Sequence, residues 1–231
     1  MISVVIPTRS RLGHFRQVIK SLAQGNDYPI EFLVWLDSDD PDLNLYWKWL
    51  RRITTRFGTD IKVWVKPRVT YEYMHVMWNF LMMQAQYNWV LFWNDDARMV
   101  RPDWYEALTT HLKENGRNPR AYPVIINLSE IKENRFPIVS RKYLDLVGHY
   151  SMNPISDIWI RMVCDSVPEI LHRVDFIPIK HRRLRDGVYQ EMLRQRNRYK
   201  NRDWDILDPN TLRWIERDAR VIKDYLWLIQ P

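Results

Sequence analysis

The order of apolar segments in the first 93 residues constrains this chain more than any other feature. Two kinds of segment alternate. "ISVVIP" (2–7), "IEFLVWLD" (30–37) and "WVLFW" (89–93) are short apolar runs, and "IKVWVKP" (61–67) alternates apolar with polar; all four read as strands. Between them lie "LGHFRQVIKSLAQG" (12–25), "DLNLYWKWLRRITTRFG" (42–58) and "YEYMHVMWNFLMMQAQ" (71–86), read as helices, the first two closed by glycine. A β-α-β-α-β-α-β order predicts parallel strands with helices on both faces. Ligands bind such sheets beyond the carboxyl ends of the strands. That rim would carry Thr8, Asp37, Arg68 and the neighbouring Asp95 and Asp96.

After residue 104 the alternation loosens. Helices are predicted over 103–116 and 155–167, strands over 121–128 and 173–181, and a strand running into a helix over 135–148. The tail, 208–229, opens with Asp208 as helix cap and Pro209 at the first helical position. Its stripe of Leu212, Ile215, Ala219, Ile222 and Leu226 predicts a helix packed on the rest of the chain. No repeat, low-complexity segment or clear linker is present.

Composition removes several classes of function. With 231 residues, 46% of them apolar, the chain fits one domain, or one domain with an appendage, and not a disordered protein. The single cysteine, Cys164, excludes an internal disulfide and a cysteine-built zinc site, and favours a reducing, cytoplasmic setting. Met1 and Ile2 lead directly into a strand, so no targeting segment is expected, and no apolar run is long enough for a membrane span. There is no G-x-G-x-x-G and no Walker sequence, which disfavours dinucleotide-binding oxidoreductases and P-loop enzymes. The net charge of +7 is concentrated: residues 180–202 hold nine basic and two acidic residues, an excess equal to that of the whole chain. Such a cluster suits phosphates, nucleic acid or an anionic membrane surface, or is a solvated helix face.

The stretch "NWVLFWNDDARMVRPDW" (88–104) poses the sharpest question, because a buried strand ends in two adjacent carboxylates. Adjacent carboxylates repel unless something neutralises them. Either they form a solvated turn, or they hold a cation.

The ordered motifs over residues 2–181 resemble inverting family-two glycosyltransferases of the GT-A fold. "VVIPTRSR" (4–11) is similar to that family's first strand and Pro-Thr turn, and "FLVWLDSDDPD" (32–42) to its second strand and acidic turn. Asn79, 15 residues before Asn94, resembles its helix asparagine, and Asn94-Asp95-Asp96 its D-x-D element. "VRPDWYEAL" (100–108) resembles the helix start that follows. The chain departs from the pattern at Asn94, where an acid is usual, at "EYMHVMW" before Asn79, and at Ser156-Asp157, where an acid pair is frequent.

The resemblance implies a GT-A-like α/β domain over 1–181, with a nucleotide-sugar half (about 1–98) and an acceptor half (about 99–181). A basic and amphipathic helical extension, 182–231, would pack on it. It implies a divalent metal, manganese or magnesium, held by Asp96, with Asp95 as a second ligand or in its support, and by His181 after "DFIPIK". Such a cation neutralises a leaving diphosphate as a Lewis acid. Asp37 would meet the nucleotide base, or cap a turn. Thr8 and Arg68 would border the nucleotide and diphosphate, with Arg9 and Arg11 competing for the diphosphate. Asn94 would line the donor site, and Asn79 would hold a donor loop or satisfy backbone. Asp157 is the candidate general base for the acceptor hydroxyl, with Asp165 a weaker alternative. Its other reading is a dipole-favoured acid in the first turn of a helix. Trp104 and Tyr105 would stack on sugar or fill the core. The acceptor would be a glycan, a small molecule or a nucleic acid bound through 180–202. A non-catalytic nucleotide-sugar or glycan-binding module, and a phosphatase or nucleotidyltransferase on a similar sheet, are the other readings.

Overall fold

The structure, a computed structural model, describes residues 1–25, 30–57, 60–114, 118–128, 136–182, 184–199 and 207–229. The predicted stops Gly58 and Gly116, and the basic residues Arg183, Lys200 and Arg202, lie outside the described residues.

Strands β1 (Ile2–Thr8), β2 (Ile30–Asp37), β3 (Asp60–Lys66) and β4 (Trp89–Phe92) pair in parallel in the order β3-β2-β1-β4. The helices between them are α1 (Leu12–Ala23), α2 (Leu43–Phe57) and α3 (Met74–Gln84), the last entered through a 3-10 turn at Tyr71–Tyr73. Three further strands complete a seven-stranded sheet. β7 (Pro137–Ser140) runs antiparallel to both β4 and β6 (Ile125–Asn127), and β8 (Leu171–Arg173) lies parallel to β6. The mostly parallel α/β sheet expected from the alternation is therefore present.

Both faces of the central strands β1, β2 and β4 are buried, which is why they read as unbroken apolar runs, whereas the edge strand β3 is partly exposed and alternates. Val4, Ile6, Val34, Leu36 and Leu91 face one core, against α1, α2 and α4 (Trp104–Glu114). Val5, Leu33, Trp35, Val90 and Phe92 face the other, against α3, α5 (Arg141–Val147), α6 (Ser156–Ser166) and α8 (Pro209–Ile229). The α8 stripe includes Ile215, Ala219 and Ile222 and packs on α5 and α6. The Asp208 carboxylate accepts hydrogen bonds from the backbone N–H of Asn210 and Thr211, at 2.9 and 3.0 Å, and so caps α8.

Two expectations are corrected. The single strand expected over 173–181 is two, β8 and β9 (Ile179–His181), in different sheets. β9 pairs antiparallel with β5 (Ala97–Met99), a strand the polar "NDDARM" run did not announce. The strand expected over 121–128 is only three residues long.

Candidate active site at the carboxyl end of the sheet

The carboxyl ends of β1, β2, β3 and β4 open into a cleft of about 600 Å³, within the range of small-molecule sites. Its lining includes Thr8, Arg9, Arg11, Asp37, Arg68, Asn94, Asp95, Asp96, Tyr150, Asp157 and His181. Ten of the fourteen candidate site residues therefore meet in one cleft; Asn79, Trp104, Tyr105 and Asp165 are outside it.

Asp95 and Asp96 have different surroundings although they are adjacent. Asp95 is 6% exposed. Its Oδ2 accepts from the Thr8 hydroxyl and its Oδ1 from Arg11, each at 2.8 Å. Thr8 also meets the Tyr46 hydroxyl at 3.2 Å, which accepts from the Arg11 backbone N–H at 3.1 Å. Burial raises Asp95 above the ordinary aspartate value, and Arg11 and Thr8 oppose that rise. Arg11 thus supplies the neutralisation that the strand-end carboxylate requires. Its other donors grip Asp186 in a fork at 2.8 and 2.9 Å.

Asp96 is the carboxylate turned to the cleft. Its Oδ1 lies 3.1 Å from His181 Nε2. The β5–β9 ribbon creates this pairing, since Ala97 is in register with His181 and the Arg182 N–H donates to the Asp96 carbonyl at 2.9 Å. A tight turn precedes it, closed by the Trp93 indole N–H donating to the Ala97 carbonyl at 3.1 Å.

No three His, Cys, Asp or Glu side chains gather as a metal cage among the described residues. The Asp96–His181 pair nevertheless fits a cation of few protein ligands. The two side chains are in direct hydrogen-bond contact at 3.1 Å, a contact that a cation ligated by both would replace. Magnesium-type sites take the rest of their ligands from water and substrate phosphates. Asp95 is bonded to Thr8 and Arg11 and is the more buried of the two, with 8% side-chain exposure against 14% for Asp96, so Asp96 is the more open to a cation.

Asp37, at the end of β2, is 5% exposed. It accepts from the Trp35 indole N–H at 3.0 Å and from Arg9 at 3.1 Å, and Arg9 also forks onto Asp39. Burial raises Asp37, and these two donors oppose the rise. Each carboxylate oxygen keeps a lone pair for a ligand N–H.

Asp157 stands in the first turn of α6, and its Oδ1 accepts from the Ile158 N–H at 3.0 Å. The loop before it is held by Asn79. That amide accepts from the Tyr150 and Ser151 N–H groups at 2.8 and 3.3 Å and donates to the Ser151 carbonyl at 2.7 Å. Asn79 therefore positions a wall of the cleft without lining it. The sugar-stacking expectation for Trp104 is corrected: the ring is fully buried and its indole N–H donates to the Leu22 carbonyl at 3.0 Å. Tyr105 is buried beside it, and Asp165 is exposed and paired with Arg161.

One wall was missed in the sequence. α7 (Gly187–Tyr199) lies inside the basic segment, and Val188, Met192, Gln195 and Arg196 line the cleft. Asp186 caps α7 by accepting from the Tyr189 N–H at 2.9 Å. The 188/192/195 spacing was the available signal, hidden under the surrounding charge.

No family model and no curated protein sequence matches this chain. Solved structures do match it in fold. The chain is similar to the mannosyltransferase PcManGT from Pyrobaculum calidifontis in complex with GDP-Man and Mn2+. The TM-score is 0.64 at 10% identity, over 98% of this chain and 74% of that one. It is also similar to TarS 1-349 from S. aureus, with a TM-score of 0.56 at 14% identity, over 99% of this chain and 72% of that one. TarS 1-349 in complex with UDP-GlcNAc gives 0.58 at 15% identity, over 97% and 71%. At such identities the likeness shows the fold, which is that of GT-A glycosyltransferases.

Proposed function

We propose that the chain is a metal-dependent glycosyltransferase that moves a sugar from a nucleoside-diphosphate sugar to an acceptor hydroxyl with inversion. One observation carries this reading. Asp96 and His181 line the cleft as a 3.1 Å pair at the carboxyl end of the parallel strands, and a further carboxylate, Asp157, lines the same cleft. The fold shared with PcManGT, solved with GDP-Man and Mn2+, and with TarS, solved with UDP-GlcNAc, supports it.

Asp96 and His181 would hold a divalent cation, manganese or magnesium, which supplies Lewis-acid neutralisation of the leaving diphosphate. Asp37 and Arg9 border the nucleotide, with Arg68 and Asn94 at its edge. Asp157 takes the proton from the acceptor hydroxyl. The acceptor oxygen then bonds to the anomeric carbon as that carbon's bond to the phosphate oxygen breaks. The electron pair leaves with the nucleoside diphosphate, and attack from the face opposite the leaving group inverts the anomeric centre.

Two measurements test this. GDP, UDP and dTDP sugars are incubated with the protein and manganese, and the released sugar or product is followed by NMR. Transfer or slow hydrolysis with inverted anomeric configuration is expected. Asp157→Asn should lower turnover by about 10²-fold or more while donor-induced thermal stabilisation persists. Retained configuration, or full activity in Asp157→Asn, contradicts the assignment.

A further inference from the structure

Two arginines of the cleft are paired with carboxylates, Arg9 with Asp37 and Asp39 and Arg11 with Asp95 and Asp186. Arg68, just beyond β3, and Arg196, on α7, line the same cleft, and neither makes an ion pair among the described residues. Asp186, immediately before α7, is clamped by Arg11 beside Asp95. At 1.5 Å per residue, Arg196 stands about 15 Å further along the helix axis. Arg196 thus stands at the opposite end of α7 from the Arg11, Asp95 and Asp186 cluster.

The far end of α7 is fixed separately. The Gln195 side-chain oxygen accepts from the Tyr71 N–H at 2.9 Å, which docks that turn on residues 71–73. Tyr71 also lines the cleft, and its hydroxyl lies within electrostatic reach of both Arg196 and Asp157. Burial raises the phenol, Arg196 lowers it and Asp157 raises it, so on balance it stays protonated and a hydrogen-bond donor. A guanidinium and a phenol O–H thus line the same cleft as the candidate base, with α7 docked on Tyr71 through Gln195. Both are donors, and they suit an oxyanion. Lys180, Arg182 and Arg185 are exposed and extend the positive field outward.

We infer that Arg196 and Tyr71 form a second oxyanion subsite beside Asp157, and that the acceptor carries a phosphate-type group close to the hydroxyl that receives the sugar. This rests on the glycosyltransferase reading for its purpose, but not for its detection. With EDTA present to remove divalent cations, inorganic phosphate is titrated onto the protein and followed by 31P line broadening and thermal shift. Saturable binding is expected, weakened at least fivefold in Arg196→Ala, partly restored in Arg196→Lys, weakened also in Tyr71→Phe, and unchanged in Asp96→Ala. Circular dichroism checks that each variant is folded. A phosphomonoester and a single-stranded phosphodiester oligomer are titrated in the same way. Either supports the subsite, and the tighter one separates a small phosphorylated acceptor from a polymer. No saturable binding, or binding lost in Arg68→Ala but kept in Arg196→Ala, overturns the inference. Nucleotide-sugar stabilisation with manganese is measured in parallel. If nucleotide binds and phosphate does not, the subsite alone falls. If phosphate binds and no nucleotide does, the transferase reading falls and the subsite stands.

Discussion

Arg11 has two buried duties, and its loss shows what it neutralises. It donates at 2.8 Å to Asp95, and Asp95 is 6% exposed. Removing one partner of a buried pair leaves an uncompensated charge, which typically costs about 3 kcal/mol or more. Arg11→Ala is therefore expected to lower the unfolding free energy by that amount, read as a lower denaturant midpoint with the m-value unchanged; a loss below about 1 kcal/mol would show that Asp95 finds other compensation. Trp104→Phe makes the opposite point. It deletes the hydrogen bond to the Leu22 carbonyl and should destabilise by about 1 kcal/mol, with nucleotide binding untouched. A specific loss of nucleotide binding would return Trp104 to the site. At this scale the sequence was informative about identity but not about orientation. Only the family resemblance ranked Asp96 ahead of Asp95 as a metal ligand. They part only because the turn closed by Trp93 and Ala97 aims one at Arg11 and the other at His181.

Among the elements, α7 and the α5–α6 connection both contribute to the lining of the cleft. Gly148 ends α5 with φ of +82°, and its N–H donates to the Leu144 carbonyl at 2.8 Å. A Cβ there would meet nothing within 4 Å, so Gly148→Ala isolates the backbone penalty of the left-handed conformation. About 1 kcal/mol is expected, lowering Tm by about 2–4 °C. An unchanged Tm would mean the αL turn relaxes without strain. For α7, pH is the lever. The hydrogen bond from Arg11 holds Asp186 below the ordinary aspartate value. A carboxyl lowered by folding stabilises the fold fully above its unfolded value, about 4, and loses that contribution as pH falls through the lowered folded value. Amides of α7 are thus expected to lose hydrogen-exchange protection between pH 5 and pH 3 ahead of the sheet. Uniform loss across the molecule would contradict a separate clasp. The long helices were legible because each carries a periodic stripe. β5 was not, and β6, β8 and β9 were legible only as parts of the longer strands expected over 121–128 and 173–181, because a three-residue strand has no period and owes its bounds to distant partners such as Ala97 and His181.

For the whole molecule, chain order is what the sequence encodes most plainly. Strands with apolar residues on both sides must be covered on both sides, which forces α1, α2 and α4 to one face and α3, α5, α6 and α8 to the other. The cleft follows from that arrangement, since the parallel strands β1 to β4 all deliver their carboxyl ends to one rim. The antiparallel insertion of β7 could not be foreseen, because its register with β4 is set by contacts nearly 50 residues apart. The central claim is that Asp96 and His181 hold a cation that nucleotide completes. Two protein ligands are too few to bind manganese tightly alone, so metal and nucleoside diphosphate should bind together. The direct measurement is the electron paramagnetic resonance of free Mn2+ during titration of the protein, with and without GDP or UDP, repeated for Asp96→Asn and His181→Ala. The account predicts weak uptake without nucleotide, at least tenfold tighter uptake with one of them, loss in Asp96→Asn and weakening in His181→Ala. Nucleotide binding that is equally strong in EDTA and in Asp96→Asn would contradict it.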